Sequence, residues 1–511
     1  MADPGRGARA ILSIDAGTTG TRAAWVGQDG VVRDIAYRRL SIEPGPRGVV
    51  EQNAMSILTH TIDAARSAIA AARQAGSAID AVALSTQRAT AVLWDERTGL
   101  PLAPAVSWQD TRFAERLGGF APEWDDRLRA SVGRGVGIRS PFLWAADVLA
   151  RDPEVARCHA AGALRLGTIE TWLLNRLAAD GTHVATASMA AATGGYVLSE
   201  HRYAHDWIAA LGCPDDILPE LREDVSHLAT TAPAVLGIAV PILAAVGDQL
   251  AGGIGLGAIR RGQVLCVHGT GSFVDVLVGS TPPAPAIGPV TSIVTARRDG
   301  VSSFALESFT ANTGSALEWL CRGIGLFDAP ADVSRLAQQA DGPTDTWFVP
   351  SLTGLRAPEE ADARASFTGL GLGTTRADLA RAVLEGIAHS VTTTVEQTAT
   401  AAATTVEEVI VGGGLSASDP FLQLQADATG IPLLRPPGAK AASLRGAAFL
   451  AGSGLLWEDL DAAVATIPAP DVFVPSTSAD ERAVRRREWA HVIDAELMLA
   501  RSRRTMREEQ Q

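Results

Sequence analysis

Asp15-Ala16-Gly17-Thr18-Thr19-Gly20-Thr21-Arg22 (residues 15–22) lies between two apolar runs, residues 10–13 and 23–26, and its reading decides the fold. Gly17 and Gly20 permit a tight reversal whose backbone N–H groups can face an anion, and Thr18, Thr19 and Thr21 add hydroxyl donors. Asp15, at the end of the first strand, supplies the carboxylate that Mg2+ favours together with phosphate oxygens. Strand, polar turn, strand therefore reads as a phosphate cradle, with an ordinary polar hairpin as the plainer alternative. A unit of the same kind recurs at residues 263–278, where Gly269-Thr270-Gly271-Ser272 separates two further apolar runs. The recurrence predicts an α/β chain made of two structurally similar halves.

Working outward, Asp29-Gly30 predicts a hairpin after the second strand, and the spacing of Ile57, Ile62, Ala65 and Ile69 predicts a helix over residues 56–75. Residues 81–84 and 91–94 read as buried strands around Ser85-Thr86-Gln87-Arg88. Residues 110–240 read as mostly helical, and residues 232–247 as a pair of buried strands, too short and too rich in proline to cross a membrane. Residues 376–402 read as one long helix with Leu379, Val383, Ile387, Val391 and Val395 on one side. The strand at 408–411 runs into Gly412-Gly413-Gly414, and the next helix takes Ser418 or Asp419 as cap with Pro420 in its first turn. A charged helical tail on the surface is expected after Ser478. The expected domains are residues 1–255, 256–475 and, for the tail, 476–511, with the division in the glycine-rich stretch at 252–257.

The chain has 511 residues, is 47% hydrophobic and 20% charged, and carries a net charge of −13 without long like-charge blocks. That length favours two large domains, and that charge argues against nucleic-acid or anionic-membrane partners and for a neutral small ligand. Four widely spaced cysteines without a Cys-x-x-Cys pair, and a polar N-terminus without an apolar signal core, predict a reduced cytoplasmic protein with inert buried thiols. Lys440 is the sole lysine, flanked by Ala439 and Ala441, so a P-loop is excluded. The glycines at 412–414 lack dinucleotide-fingerprint spacing, and His-Glu-x-x-His is absent.

Several ordered segments carry a resemblance along nearly the whole chain. They are IDAGTTGTR (14–22), STQRATAVLWDERTGLPLAPAVSWQDTR (85–112), VGDQLAG (246–252), HGTGSF (268–273), ASFTGLGLGTTRADLARAVLE (365–385), VGGGLSASDPFLQLQAD (411–427) and LRGAAFLAG (444–452). In them the chain resembles the FGGY carbohydrate kinases, the glycerol kinase branch above all. The resemblance implies an actin-like ATPase fold, two RNase H-like domains with ATP, Mg2+ and substrate in the cleft between them. It implies that Asp248 is the catalytic base, and that Asp15 and Asp248 are the Mg2+-associated carboxylates. Thr18, Thr19 and Arg22 then match phosphate contacts of the first turn, and Gly269 and Thr270 those of the second. Gly314, Gly414 and Ser418 fall where the family holds adenosine. Gln87, Arg88, Trp108, Asp110, Asp248, Gln249 and Phe273 become the substrate wall, and a homodimer or homotetramer becomes the expected assembly.

The resemblance also has departures. The glycerol kinase branch carries Glu where this chain has Ala89, Tyr near the position of Val136, and Lys where Pro141 stands. Loss of a carboxylate and a phenol removes hydrogen-bonding groups and opens volume. The expected substrate is accordingly a small neutral polyol or ketose other than plain glycerol. The alternatives are a glycerol kinase with a variant pocket, or a relative that binds nucleotide and ligand without transfer.

Overall fold

The computed structural model describes residues 8–283, 288 and 290–508. Residues 1–7 of the polar N-terminal stretch, and the last three residues of the tail, lie outside them.

The apolar runs around the first turn become β1 (Ala8–Ala16) and β2 (Gly20–Gly27), antiparallel, with Asp15 opposite Arg22. Gly30, at φ 72°, closes the Asp-Gly turn by donating to the Gly27 carbonyl at 2.9 Å, and leads into β3 (Val32–Arg39). Helix α1 (Ala54–Gln74), capped by the Asn53 side chain, returns the chain to β4 (Ser77–Thr86), parallel to β1. Strands β5 (Val225–Thr230) and β6 (Pro241–Gly247) complete a sheet of order β5-β6-β4-β1-β2-β3, and α2 (Asp248–Gly255) starts at the end of β6.

The second sheet repeats this plan. Strands β7 (Gln263–His268), β8 (Ser272–Gly279), β9 (Thr291–Arg298) and β10 (Val301–Thr310) are joined antiparallel. Short α3 (Gly314–Glu318) and long α4 (Arg376–Ala401) lead to β11 (Glu408–Gly412), parallel to β7. Then follow α5 (Asp419–Thr429), β12 (Leu433–Arg435), α6 (Ala442–Gly452) and β13 (Asp471–Phe473), giving the order β9-β10-β8-β7-β11-β12-β13. Each sheet thus has antiparallel strands on one side of its first strand and, on the other, parallel strands ended by one antiparallel edge strand (β5 and β13), which contains the RNase H-like plan of an actin-like ATPase.

Both faces of the central strands β1, β2, β4 and β6 are buried, which is why they read as continuous apolar runs. Leu12, Ile14, Val82 and Leu84 pack toward Ile57, Ala65 and Ile69 of α1. Ile11, Ala81, Ala83 and Val246 pack toward Ala251 and Ile254 of α2 and Ala447, Ala448 and Phe449 of α6. In the second sheet Val264, Cys266, Val274 and Val276 meet Val383, Ile387 and Val391 of α4 and Phe421 of α5.

Several local expectations change. Residues 232–247 hold a single strand, β6, because Pro233 starts a one-turn helix, Pro233–Leu236, that Gly237 ends at φ 75°. Residues 110–240 are mixed, since Leu164–Thr168, Val184–Thr186 and Glu220–Arg222 are strands interleaved with short helices. Gly252, Gly253 and Gly255 are helical residues of α2. The tail helix α7 (Ala479–Glu508) does more than coat the surface. Its Trp489, Ile493 and Ala500 form a small core with Trp347, Val349 and Leu355. The four thiols are free and buried. No helix among the described residues is long and apolar enough to cross a membrane.

One buried carboxyl ties the two halves together. Asp224 accepts from the Ser188 amide at 3.0 Å, the Ser188 hydroxyl and, across to β9, the Arg297 amide at 2.7 Å. Burial pushes it up to about 7, against the hydrogen bonds from Ser188 and Arg297. Its folded pKa exceeds the unfolded value, so its contribution is fully present below about pH 4 and is lost as pH rises through about 7. The stability advantage of the native chain over Asp224→Asn is therefore expected to shrink by on the order of 2 kcal/mol from pH 5 to pH 8. Urea denaturation at both pH values measures this, and an unchanged difference would refute it.

Candidate active site

The two glycine turns are tied down in parallel ways. In the first, Gly17 donates to the Gly20 carbonyl at 3.1 Å, and the Trp108 indole N–H donates to the Thr18 hydroxyl at 2.9 Å. In the second, Gly269 donates to the Gly271 carbonyl at 2.8 Å, while Gly314 and Ser315 at the start of α3 donate to the carbonyls of Gly269 and Thr270. A Cβ at Gly20 would lie 2.3 Å from the exposed Tyr37 ring, which would have to swing aside, and one at Gly271 would lie 2.6 Å from the Thr310 carbonyl oxygen, which only a backbone shift relieves.

Between the halves lies a cavity of about 660 Å3. From the first turn it is lined by Asp15, Thr18, Thr19 and Arg22; from the end of β4 and beyond by Gln87, Arg88 and Trp108. Asp248 and Gln249 at the start of α2, and Phe273 of β8, close it. A second cavity, of about 680 Å3, opens on the other side of the β7–β8 turn and is lined by Gly269, Thr270, Gly314, Gly414 and Ser418. The sequence-predicted residues are thus gathered into two adjoining spaces. Asp110 stands apart, lining a third, adjacent cavity, with its carboxylate accepting from the Val50 amide at 2.8 Å and the Arg112 guanidinium at 2.6 Å.

Asp248 is the first residue of α2, and one of its oxygens accepts only the next amide, Gln249, at 2.8 Å. Burial, and then the negative charge of Asp15, push its carboxyl up to about 6 against the pull of Arg88. Asp15 is held by the Arg22 guanidinium, by the Ser443 hydroxyl at 2.7 Å and by the Ser85 hydroxyl at 3.3 Å. Two carboxylates in one cavity, close enough to repel, suit a divalent cation between them. The structure therefore fits the Mg2+ that the resemblance implies, beside turns whose donors suit phosphate.

Gln87 is spent inside the wall, donating to the Gln52 side-chain carbonyl at 2.9 Å and accepting from the Thr90 hydroxyl at 3.0 Å. Arg88 donates to Glu307 at 2.8 Å and to the Gln249 side-chain carbonyl at 2.5 Å, so a residue of β10 clamps one from the first half. Sequence reasoning missed Glu307, Asp275, Arg134 and Arg139. Asp275, on β8, is buried, accepts from the Gln249 side-chain Nε2 at 3.3 Å, and is pushed well above the usual carboxylate range by burial and by Glu307. A charged residue inside a strand pattern normally faces water, and only the pairing of β8 with β10 brings these carboxyls together.

Comparison with known proteins accords with this geometry. Profiles described as "FGGY family of carbohydrate kinases, N-terminal domain" and "C-terminal domain" match residues 10–255 and 264–455. A glycerol kinase of Aromatoleum aromaticum is 33% identical over 491 residues, covering 95% of this chain and 98% of that protein. One from Thermus brockianus is 32% identical, with coverage of 95% and 98%. Among solved structures, Plasmodium falciparum glycerol kinase with ADP superposes at a TM-score of 0.90 with 24% identity, covering 96% of this chain and 98% of that one. The chain belongs to the FGGY family of carbohydrate kinases, enzymes that move a phosphoryl group from ATP to an alcohol.

Proposed function

We propose that the chain phosphorylates one hydroxyl of a small polyol or sugar, with Asp248 as general base. The observation that carries this is the Asp248 carboxylate, unpaired on its cavity side, in the space that the first glycine turn and the substrate wall share. The acceptor hydroxyl loses its proton to Asp248 as its oxygen bonds to the γ-phosphorus. The bond from that phosphorus to the β–γ bridging oxygen breaks, and its electron pair leaves with ADP. Thr18, Thr19 and Arg22 from one turn, and Gly269 and Thr270 from the other, line the path between nucleotide and acceptor. Gly314, Gly414 and Ser418 hold the adenosine side.

Asp15 and Asp248 would hold Mg2+, which when bound neutralises charge on the transferring phosphates. Arg88, fixed by Glu307 and Gln249, Trp108 and Phe273 orient the acceptor in the wall, with the ketose or polyol longer than plain glycerol because Ala89 leaves space there. Division near residue 255, a homodimeric or homotetrameric assembly and a cytoplasmic setting belong to the same proposal.

ADP release measured with Mg-ATP across a panel of polyols and ketoses tests this. At least one acceptor should stimulate release, with one phosphorylated acceptor formed per ADP; stimulation by none would overturn the reading.

A further inference from the structure

Arg134 and Arg139 sit on the loop before the helix Pro141–Arg151, where the cleft cavity meets the neighbouring cavity of about 460 Å3. Both arginines line both spaces, as does Ala89, whose methyl group leaves the passage between them open. Each guanidinium is anchored by one backbone carbonyl. Arg134 donates to Ala192 at 2.5 Å, and Arg139 donates to Trp108 at 2.6 Å.

The acidic groups nearby are already engaged. Glu307 pairs with Arg88 at 2.8 Å, Asp110 with Arg112 at 2.6 Å, and Asp125 with Arg129 at 3.3 Å. Among the described residues, neither Arg134 nor Arg139 has a carboxylate within ion-pair distance. Desolvation, and then repulsion from Arg139 and Arg88, hold Arg134 down to about 10, and desolvation and then repulsion from Arg88 lower Arg139. Both still carry their charge at neutral pH. Arg134 is half-buried and Arg139 exposed, over the Trp108 ring at 5.6 Å, and two cations without a carboxylate partner on one cavity wall suit an anion settling between them.

We propose that the acceptor carries an anionic group, a carboxylate or a phosphate, which Arg134 and Arg139 hold while a hydroxyl farther along its carbon chain reaches Asp248. This rests on the kinase reading above and deepens it, replacing a neutral acceptor by a charged one. The arginine fork suits both anions, and each fork keeps N–H groups beyond the one committed to its carbonyl. Phosphoryl transfer is still to a hydroxyl, with the proton passing to Asp248 and ADP leaving, so the anion is a handle and takes no part in the bond changes.

The test compares matched acceptors in the Mg-ATP assay: glycerol with glycerate and glycerol phosphate, erythritol with erythronate, xylitol with xylonate, sorbitol with gluconate. In at least one set the anionic member should exceed its neutral partner by about tenfold or more in kcat/KM, the scale of one charge-assisted contact. Glycerate against glycerol phosphate tells carboxylate from phosphate. Arg134→Gln and Arg139→Gln should each raise KM for the preferred anion by roughly 10- to 100-fold, with a loss at least about tenfold smaller for the neutral partner. Neutral polyols preferred throughout, or equal losses for both members of a set, would overturn the anionic acceptor and leave the kinase reading standing. No acceptor of either kind stimulating ADP release would overturn both. The comparison of acceptors on the unmodified chain decides the matter even where a variant fails to fold.

Discussion

Replacing Asp248 by Asn should lower kcat by about a thousandfold, within the range that a positioned general base contributes. The substitution keeps the shape of the side chain at the start of α2 and its reach into the cavity, and removes proton acceptance and charge. It also removes the repulsion from Asp15 and the burial of a carboxylate, the two causes that raise Asp248, so the folded state should not suffer. The expected pairing is an unfolding temperature at or above that of the native chain with turnover almost abolished. Steady-state kinetics alongside a thermal melt measure both. Turnover within tenfold of the native chain would remove Asp248 from the role of proton acceptor.

The second large effect concerns stability, at the crossing of α2 with α6. A Cβ on Gly446 would lie 1.8 Å from the Ala251 carbonyl oxygen and 2.6 Å from the Gly255 amide. One on Gly255 would lie 1.9 Å from the Ala442 carbonyl oxygen. The obstacles are backbone, so no rotamer change relieves them and the two helices would have to separate. Arg445 ties the same crossing by donating to the Gly255 carbonyl at 2.7 Å, and Ser13 of β1 donates to the Leu444 carbonyl at 2.7 Å. Gly446→Ala should cost about 3 kcal/mol, the upper part of the range for overpacking, although alanine is the better helix former. Gly252→Ala, in the same helix α2 with no atom within 4 Å of its Cβ, should be neutral or stabilise by roughly 0.5–1 kcal/mol. Chemical denaturation of the two variants checks the contrast. Similar effects at both positions would show that the crossing is looser than its geometry indicates.

The parts of the candidate site were legible because their chemistry is local. Gly17 with Gly20, and Gly269 with Gly271, each specify a reversal within a few residues, and the flanking apolar runs specify strands buried on both faces. The resemblance then placed Asp248, Gly314, Gly414 and Ser418, and the structure gathers them around the two cavities. Errors arose where local pattern is ambiguous. The apolar stretch at 232–247 reads equally as strand or short helix, and Pro233 decided for helix at its start. The glycine-rich stretch at 252–257 carries no local sign of helix, because the helix that packs against it lies almost two hundred residues later.

What the sequence by itself determined was the α/β chain with two similar halves, the kinase family and the two turns at residues 15–22 and 269–272. Each of these is encoded in contiguous residues, through backbone freedom, apolar periodicity and hydroxyl donors. What only the tertiary structure decided was the electrostatics of the cleft cavity. Net charge suggested a neutral ligand, yet Arg134 and Arg139 from one loop meet Ala89, Ala192 and Thr291 from three other segments, with the nearby carboxylates already paired. Whether a charge is compensated depends on which distant residues fold up beside it, and no property of the linear neighbourhood carries that information.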